Sequence, residues 1–198
     1  MKPGETVEMI YSRDELEQIG FARIGENVTI HKTVELFSPN RISLGDNVRI
    51  DCFSLLSAGE EGIHIGNNVH LAASAYIFGS GGKVILENFA GFASRVSLYT
   101  ASDDYSEGFL TNPTVPDKYK KVTRGPVTLR KHAIIGVGSV IMPNVEIGIG
   151  ASIGALTFVN KNIEKFSIGC GNPVKIVGKR SESILENEKA YLDGIGQV

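Results

Sequence analysis

The chain has 198 residues, 42% of them hydrophobic and 21% charged, and a formal net charge of −2. This suits one globular domain and excludes a disordered polyelectrolyte and a general nucleic-acid binder, since phosphate binding needs a basic surface. No apolar run is long enough for a signal peptide or a membrane span, so the expected location is cytoplasmic.

In chain order, Ser12-Arg13-Asp14-Glu15 is a capping box that predicts a short helix running toward Gly20. Residues 1–20 are expected to cap one end of a repeat that begins at Ile24. From there an apolar residue recurs in hexads: Ile24, Ile30 and Leu36; Leu44, Ile50 and Leu56; Ile65, Leu71 and Ile77; Leu86, Phe92 and Leu98. Three hexads make one triangular coil. The coil starts at 24, 44, 65 and 86 are slightly more than eighteen apart, which puts the extra residues at one corner each time. Ile42, Ile63, Val84 and Val127 each stand two before a coil start, and that consistency sets the register.

The rhythm is clearest over 129–159. Leu129, Ile135, Ile141, Ile147, Ile153 and Val159 are six apart, and Ala133, Ser139, Val145, Ala151 and Thr157 follow the first five of them at four places. A period of six fits neither a helix nor an alternating strand. It fits a parallel β-helix of hexapeptide repeats, with the aliphatic inside the prism and the small residue at the tight corner. Burying one such aliphatic stabilises by about 1.5–3 kcal/mol, while ordering costs about 1–2 kcal/mol for every residue. So thin a prism is expected to bury its flat faces against copies of itself.

The period fails between 103 and 126. That stretch carries three prolines, two glycines and three aromatics, which predicts an ordered projecting arm. After Val159 the segment 160–166 is expected to leave the coil, and 169–177 to return as an extended edge. Ser183-Ile184-Leu185-Glu186 predicts a second capping box opening a terminal helix within 181–198.

The coils, the arm interrupting them and the closing G-A-L-T-F-V-N-K…G-C-G-N-P-V-K-I-V resemble the hexapeptide-repeat acyltransferases. The arm followed by the "GNP" tail is similar to the galactoside and xenobiotic acetyltransferase branch. Y-T-A-S-D-D-Y-S, L-T-N-P-T-V-P and K-Y-K-K resemble sugar acyltransferases of surface-polysaccharide pathways, including those acting on nucleotide-linked amino sugars. The resemblance covers about 21–180. It implies an all-β fold, a left-handed parallel β-helix of about six coils with a projecting loop and short terminal helices. It also implies a homotrimer with sites between subunits, and acetyl-CoA or another acyl-CoA as co-substrate without a metal. By the same resemblance Gly136 and Ala155 meet the pantetheine arm, and Asn160, Lys161, Lys175 and Arg180 meet the adenosine phosphates. Asn160 stands where the family carries threonine.

Acyl transfer needs a deprotonated nucleophile and donors for the developing oxyanion. Where the galactoside-type branch has a histidine base, this chain has Ser102, Asp103 and Asp104. A histidine near pKa ~6.5 suits a hydroxyl acceptor, and an aspartate near ~3.9 does not. An amine is already nucleophilic when neutral, so Asp103 is expected to bind the ammonium or orient the acceptor, which favours N-acylation over O-acylation; Asp104 beside it is a second catalytic candidate. The competing class is a non-catalytic hexapeptide scaffold, which needs neither the arm nor the basic tail. His70 is a further catalytic candidate, placed by register between Arg49 and Gly91. Ser94 and Arg95, just before the arm, and Tyr76 and Tyr105 are candidate acceptor contacts. Lys118, Lys120, Lys121 and Arg124 are arm cations that can face a nucleotide diphosphate or simply water. His31, His64 and His132 read as structural or solvated, and no histidine pair has zinc-ligand spacing. Cys52 and Cys170 have neither metal nor redox spacing.

Overall fold

The computed structural model describes residues 9–195; the outermost parts of the two expected terminal segments, 1–8 and 196–198, lie outside the described residues. The hexads form three parallel sheets, one strand per coil in each. The first stacks Arg23–Ile24, Ile42–Leu44, Ile63–Ile65, Val84–Leu86, Val127–Leu129 and Val145–Ile147. The second begins with Thr29–Ile30, Arg49–Ile50, His70–Leu71 and Gly91–Phe92, and continues through Ile134–Ile135 and Ser152–Ile153 to Ser167–Cys170 and Lys175–Lys179. The third stacks Glu35–Phe37, Leu55–Ala58, Tyr76–Gly79, Ser97–Tyr99, Val140–Ile141 and Phe158–Val159. The expected register holds throughout, with Leu44 beside Ile65 and Leu86 beside Leu129.

The expected interior residues are buried from Ile30 on, except that Ile24 and Leu36 in the first coil are only partly covered. Helix α1 (Arg13–Ile19) closes that end. Its capping box forms through Ser12 and Glu15, Gly20 ends it with φ +80°, and Leu16 is buried in the core.

Six complete coils are followed by a truncated seventh, a correction to the expected count. The segment 160–166 does not leave the prism. Ile163 bridges Ile147 and is buried, and the Ile163 and Phe166 N–H groups donate to the Glu146 and Ile149 carbonyls. The hexad is broken here because only one short run reaches the first sheet before Ser167–Cys170 joins the second. The strand Lys175–Lys179 then turns back antiparallel. At the opposite end of the same sheet Ile10 bridges His31, also antiparallel. Helix α2 (Ile184–Ile195) forms as expected, but without the predicted capping box: the Ser183 hydroxyl pairs with that of Ser181, 2.7 Å away.

Between the first and second sheets each coil turns through a residue of positive φ: Asn27, Asn47, Asn68, Phe89, His132, Gly150 and Phe166. An Asx side chain from the next coil caps the turn below it. Asp46 accepts from Glu26 N–H, Asn67 from Asp46 N–H and Asn88 from Asn67 N–H, at 2.8–2.9 Å. The ladder has room only because Gly25, Gly45 and Gly66 have no side chain. A Cβ at Gly66 would strike the Asn88 carboxamide oxygen and lie 2.8 Å from Asn88 N. Gly66→Ala is therefore expected to break this cap and cost about 2 kcal/mol, lowering Tm by about 4–8 °C in a calorimetric scan.

Candidate functional site

Two groups of predicted residues stand near opposite borders of the third sheet. At the corner between the second and third sheets, Arg95 turns with φ +59°, as Phe53, Ser74, Gly138 and Leu156 do in other coils. Ser94 precedes it, and its carbonyl accepts from Gly138 N–H at 3.0 Å. The Ser94 hydroxyl and the exposed Arg95 guanidinium have no hydrogen-bond partner among the described residues. Gly136 and Ala155 stack at the same corner: Gly136 N–H donates to Ile153 O at 2.7 Å, and a Cβ at Gly136 would lie 2.6 Å from Ala155 N. Gly136 is thus demanded by close packing of coils, whatever ligand passes outside.

His70 is on the second sheet near this corner, between Arg49 and Gly91 as the register required. Its Nε2 lies 2.8 Å from Asp51 Oδ2, while Arg49 Nε lies 2.7 Å from Asp51 Oδ1. Partial burial pushes the Asp51 carboxyl up, but the bonds from His70 and Arg49 outweigh it and hold the group below the usual carboxylate range. Sequence reasoning missed Asp51; its offset from His70 is not a whole coil, so no periodic signal marked it.

The second group lies across the third sheet, at the arm. The strands Ala101–Asp103 and Val122–Arg124 pair antiparallel as the root of the arm. Asp103 accepts from Asn112 N–H at 3.0 Å. Asp104 accepts from both the amide and the hydroxyl of Ser106 at 2.7 Å and faces Lys121 Nζ at 3.1 Å. The Ser106 bonds, then Lys121, hold the Asp104 carboxyl well below the ordinary range. It stays anionic at working pH and is a weak base. Tyr105 is 82% exposed and packs against no core.

The remaining predictions scatter. Tyr76 joins a row of rings on the outer face of the third sheet, with Phe78 and Tyr99 stacked at 4.8 Å. Asn160 and Lys161 are exposed at the arm-side border, after Phe158–Val159, and Lys175 is on the antiparallel end strand. Arg180 lies at the other corner, where Nη1 donates to His132 O at 3.0 Å and Gly150 O at 3.3 Å. The structure therefore does not gather the four expected phosphate contacts in one chain. His132 is a buried structural residue, 2.9 Å from Glu188 of α2 and stacked on Phe89. The cleft of about 420 Å³ on the first sheet, bordered by Arg23, His64 and Lys131, contains none of the predicted residues. Among the described residues no helix is long and apolar enough to cross a membrane.

A parallel prism carrying one ordered arm and two polar groups on its outer borders is the architecture of a left-handed β-helix transferase. No family model matches the chain. It is 41% identical over 177 residues to the dTDP-4-amino-4,6-dideoxy-D-glucose acyltransferase of Escherichia coli, covering 89% of this chain and 92% of that one. AntD, an N-acyltransferase from Bacillus cereus solved in complex with dTDP and 3-hydroxybutyryl-CoA, superposes with a TM-score of 0.92 at 39% identity, over 96% of this chain and 100% of that chain. A maltose O-acetyltransferase from Clostridium difficile 630 shares the fold at 22% identity, with a TM-score of 0.56 over 90% of this chain and 80% of that one. The chain belongs to the hexapeptide-repeat acyltransferase family.

The Asp104 shift has a testable sign. Its carboxyl titrates lower in the folded arm than in the unfolded chain. The stabilisation is therefore in place above the ordinary aspartate range and is lost as pH falls through the folded value. Ser106→Ala, which deletes the hydroxyl donor, is expected to move the Asp104 titration upward; carboxyl-detected NMR across an acid titration checks this.

Proposed function

We propose that the protein transfers an acyl group from acyl-CoA to the amino group of a dTDP-linked 4-amino-4,6-dideoxyglucose or a close relative, at sites between the subunits of a cytoplasmic homotrimer. The Escherichia coli relative is named for that acceptor, and a serine-to-cysteine mutant of AntD has been solved with dTDP-4-amino-4,6-dideoxyglucose and coenzyme A. The observation that carries the reading is a spacing. The AntD variants replace a serine and an aspartate ten residues apart. In this chain two Ser–Asp pairs have that separation: Ser183 and Asp193, both in the segment of the terminal helix, and Ser94 and Asp104, both candidates on other grounds.

Ser94 and Asp104 stand at opposite borders of the third sheet, with the strand Ser97–Tyr99 between them. One chain does not make them one site. If the third sheet with its row of rings packs near the molecular threefold axis, the Ser94 corner of one copy faces the arm of the next. That arrangement also buries the flat aromatic face that a thin prism leaves uncovered.

The chemistry follows from the charge states. The neutral amine nitrogen attacks the thioester carbonyl carbon, giving a tetrahedral adduct with a cationic nitrogen and an oxyanion. Anionic Asp104 stabilises the cationic nitrogen and orients the amine, and the free Ser94 hydroxyl donates to the oxyanion. The C–S bond then breaks, the nitrogen loses its proton, and the sulfur leaves as the CoA thiol. His70, held by Asp51, is the group available to relay that proton.

Asp104→Asn is expected to lower kcat about 10²–10³-fold in a thiol-release assay, with the trimer intact by sedimentation. Mixing Ser94→Ala and Asp104→Asn subunits after reversible dissociation should return activity, because about a quarter of randomly assembled inter-subunit sites regain both groups. No recovery would place both groups in one subunit. Equal turnover with an acceptor carrying a hydroxyl in place of the amine would overturn N-acylation.

A further inference from the structure

The sequence leaves four arm cations equivalent, and the structure separates them. Lys121 is taken by Asp104 and Glu107 at 3.1 and 2.6 Å. Lys118 lies over the Tyr119 ring, 4.8 Å from its centre. Lys120 and Arg124 differ: both line a cleft of about 200 Å³ at the root of the arm, together with Ser102, Asp103 and Val122. The Lys120 side chain is only 9% exposed, and its one ion-pair partner among the described residues is Asp117, 3.0 Å away and 88% exposed. A solvated carboxylate is a weak reason to bury an ammonium, and the ammonium has more donors than Asp117 uses.

The cleft is lined by one carboxylate, Asp103, and two cations, Lys120 and Arg124. That pattern complements a ligand with a diphosphate ester at one end and an amine or hydroxyls one sugar ring away. A cleft of this size is smaller than the roughly 300–1,000 Å³ of a complete small-molecule site, so it holds part of such a ligand and leaves the rest to a neighbouring copy.

We infer that Lys120 and Arg124 bind the diphosphate of the nucleotide-sugar acceptor, with Asp103 oriented on the sugar beside it. This deepens the proposed function and rests on it. Coenzyme A also carries a diphosphate, so the shared chemistry has two sources. The acceptor is favoured because the carboxylate is in the same cleft and suits an amino sugar, not an adenosine.

The experiment uses calorimetric titration of the intact protein with dTDP and, separately, with coenzyme A, together with the KM of the dTDP-amino sugar. Lys120→Met is expected to weaken dTDP binding and raise that KM about 10- to 100-fold, leave the coenzyme A affinity unchanged, and leave kcat within a few-fold. Arg124→Gln, at an exposed residue, should act the same way and serves if Lys120→Met does not fold. Lys118→Ala is the control expected to change neither. Wild-type dTDP affinity in both cleft variants overturns the inference while leaving acyl transfer standing. Loss of coenzyme A binding instead of dTDP binding overturns the choice of ligand. Failure of the unmodified protein to bind dTDP or turn over the amino sugar overturns the functional reading beneath it.

Discussion

Everything in this molecule depends on a backbone contact that recurs at two corners of the prism, from coil to coil. The corner residue has positive φ, and its N–H points down to a carbonyl of the preceding coil. At one corner Asn47 donates to Glu26, Asn68 to Asp46, Phe89 to Asn67, His132 to Asn88, Gly150 to Lys131 and Phe166 to Ile149. At the other, Ser74 donates to Cys52, Arg95 to Ala73, Gly138 to Ser94 and Leu156 to Val137. Such a conformation costs an L-residue roughly 1–2 kcal/mol, less for Asn. It is offset because the N–H would otherwise be turned away from any partner. The corners fix the spacing of coils, and the parallel strands between them need only two to four residues each.

The same contact decides what stands outside. Corner side chains emerge in register, one per coil, and so meet each other. Asn27 bonds Asn47, the Phe89 ring stacks on His132 at 5.0 Å, and Gly150 leaves the space its neighbour's ring fills. Helix α2 is seated on this column: Tyr191 meets Phe89 edge-on, and Glu188 reaches Lys131 and His132. Burial pushes the Glu188 carboxyl up, but the Lys131 and His132 bonds more than reverse it, so the seat is charged and closed. Ser94 and Arg95 occupy the other corner, where the Ser94 hydroxyl and the Arg95 guanidinium have no hydrogen-bond partner among the described residues.

Much of the fold was legible because the interior obeys one period. Each coil needs an inward apolar residue at three fixed places, and a departure would leave a polar group inside a narrow core. The truncated seventh coil was hidden because the step from Ile147 to Ile163 breaks the hexad count. The His132–Glu188 pair and the Arg180 carbonyl contacts join residues far apart in sequence with no repeating offset. Among the candidate site residues, the acidic pair and Ser94 were picked out by type and position alone. The ranking of Lys120 above Lys118 and Lys121 was invisible, because neighbours in an aperiodic arm differ only in which way they point.

Both ends of the second sheet are met by chain running in the reverse direction, Ile10 against His31 at one end and Lys175–Lys179 at the other. A parallel ladder left open presents a row of unpaired amides and carbonyls that would template another identical coil, from the same chain or from a stranger. Reversing the chain changes the hydrogen-bond pattern, and a parallel coil no longer fits there. The two reversals fix the length of the prism along this sheet. A stack whose repeat favours indefinite growth is thereby held to a finite particle rather than a fibre.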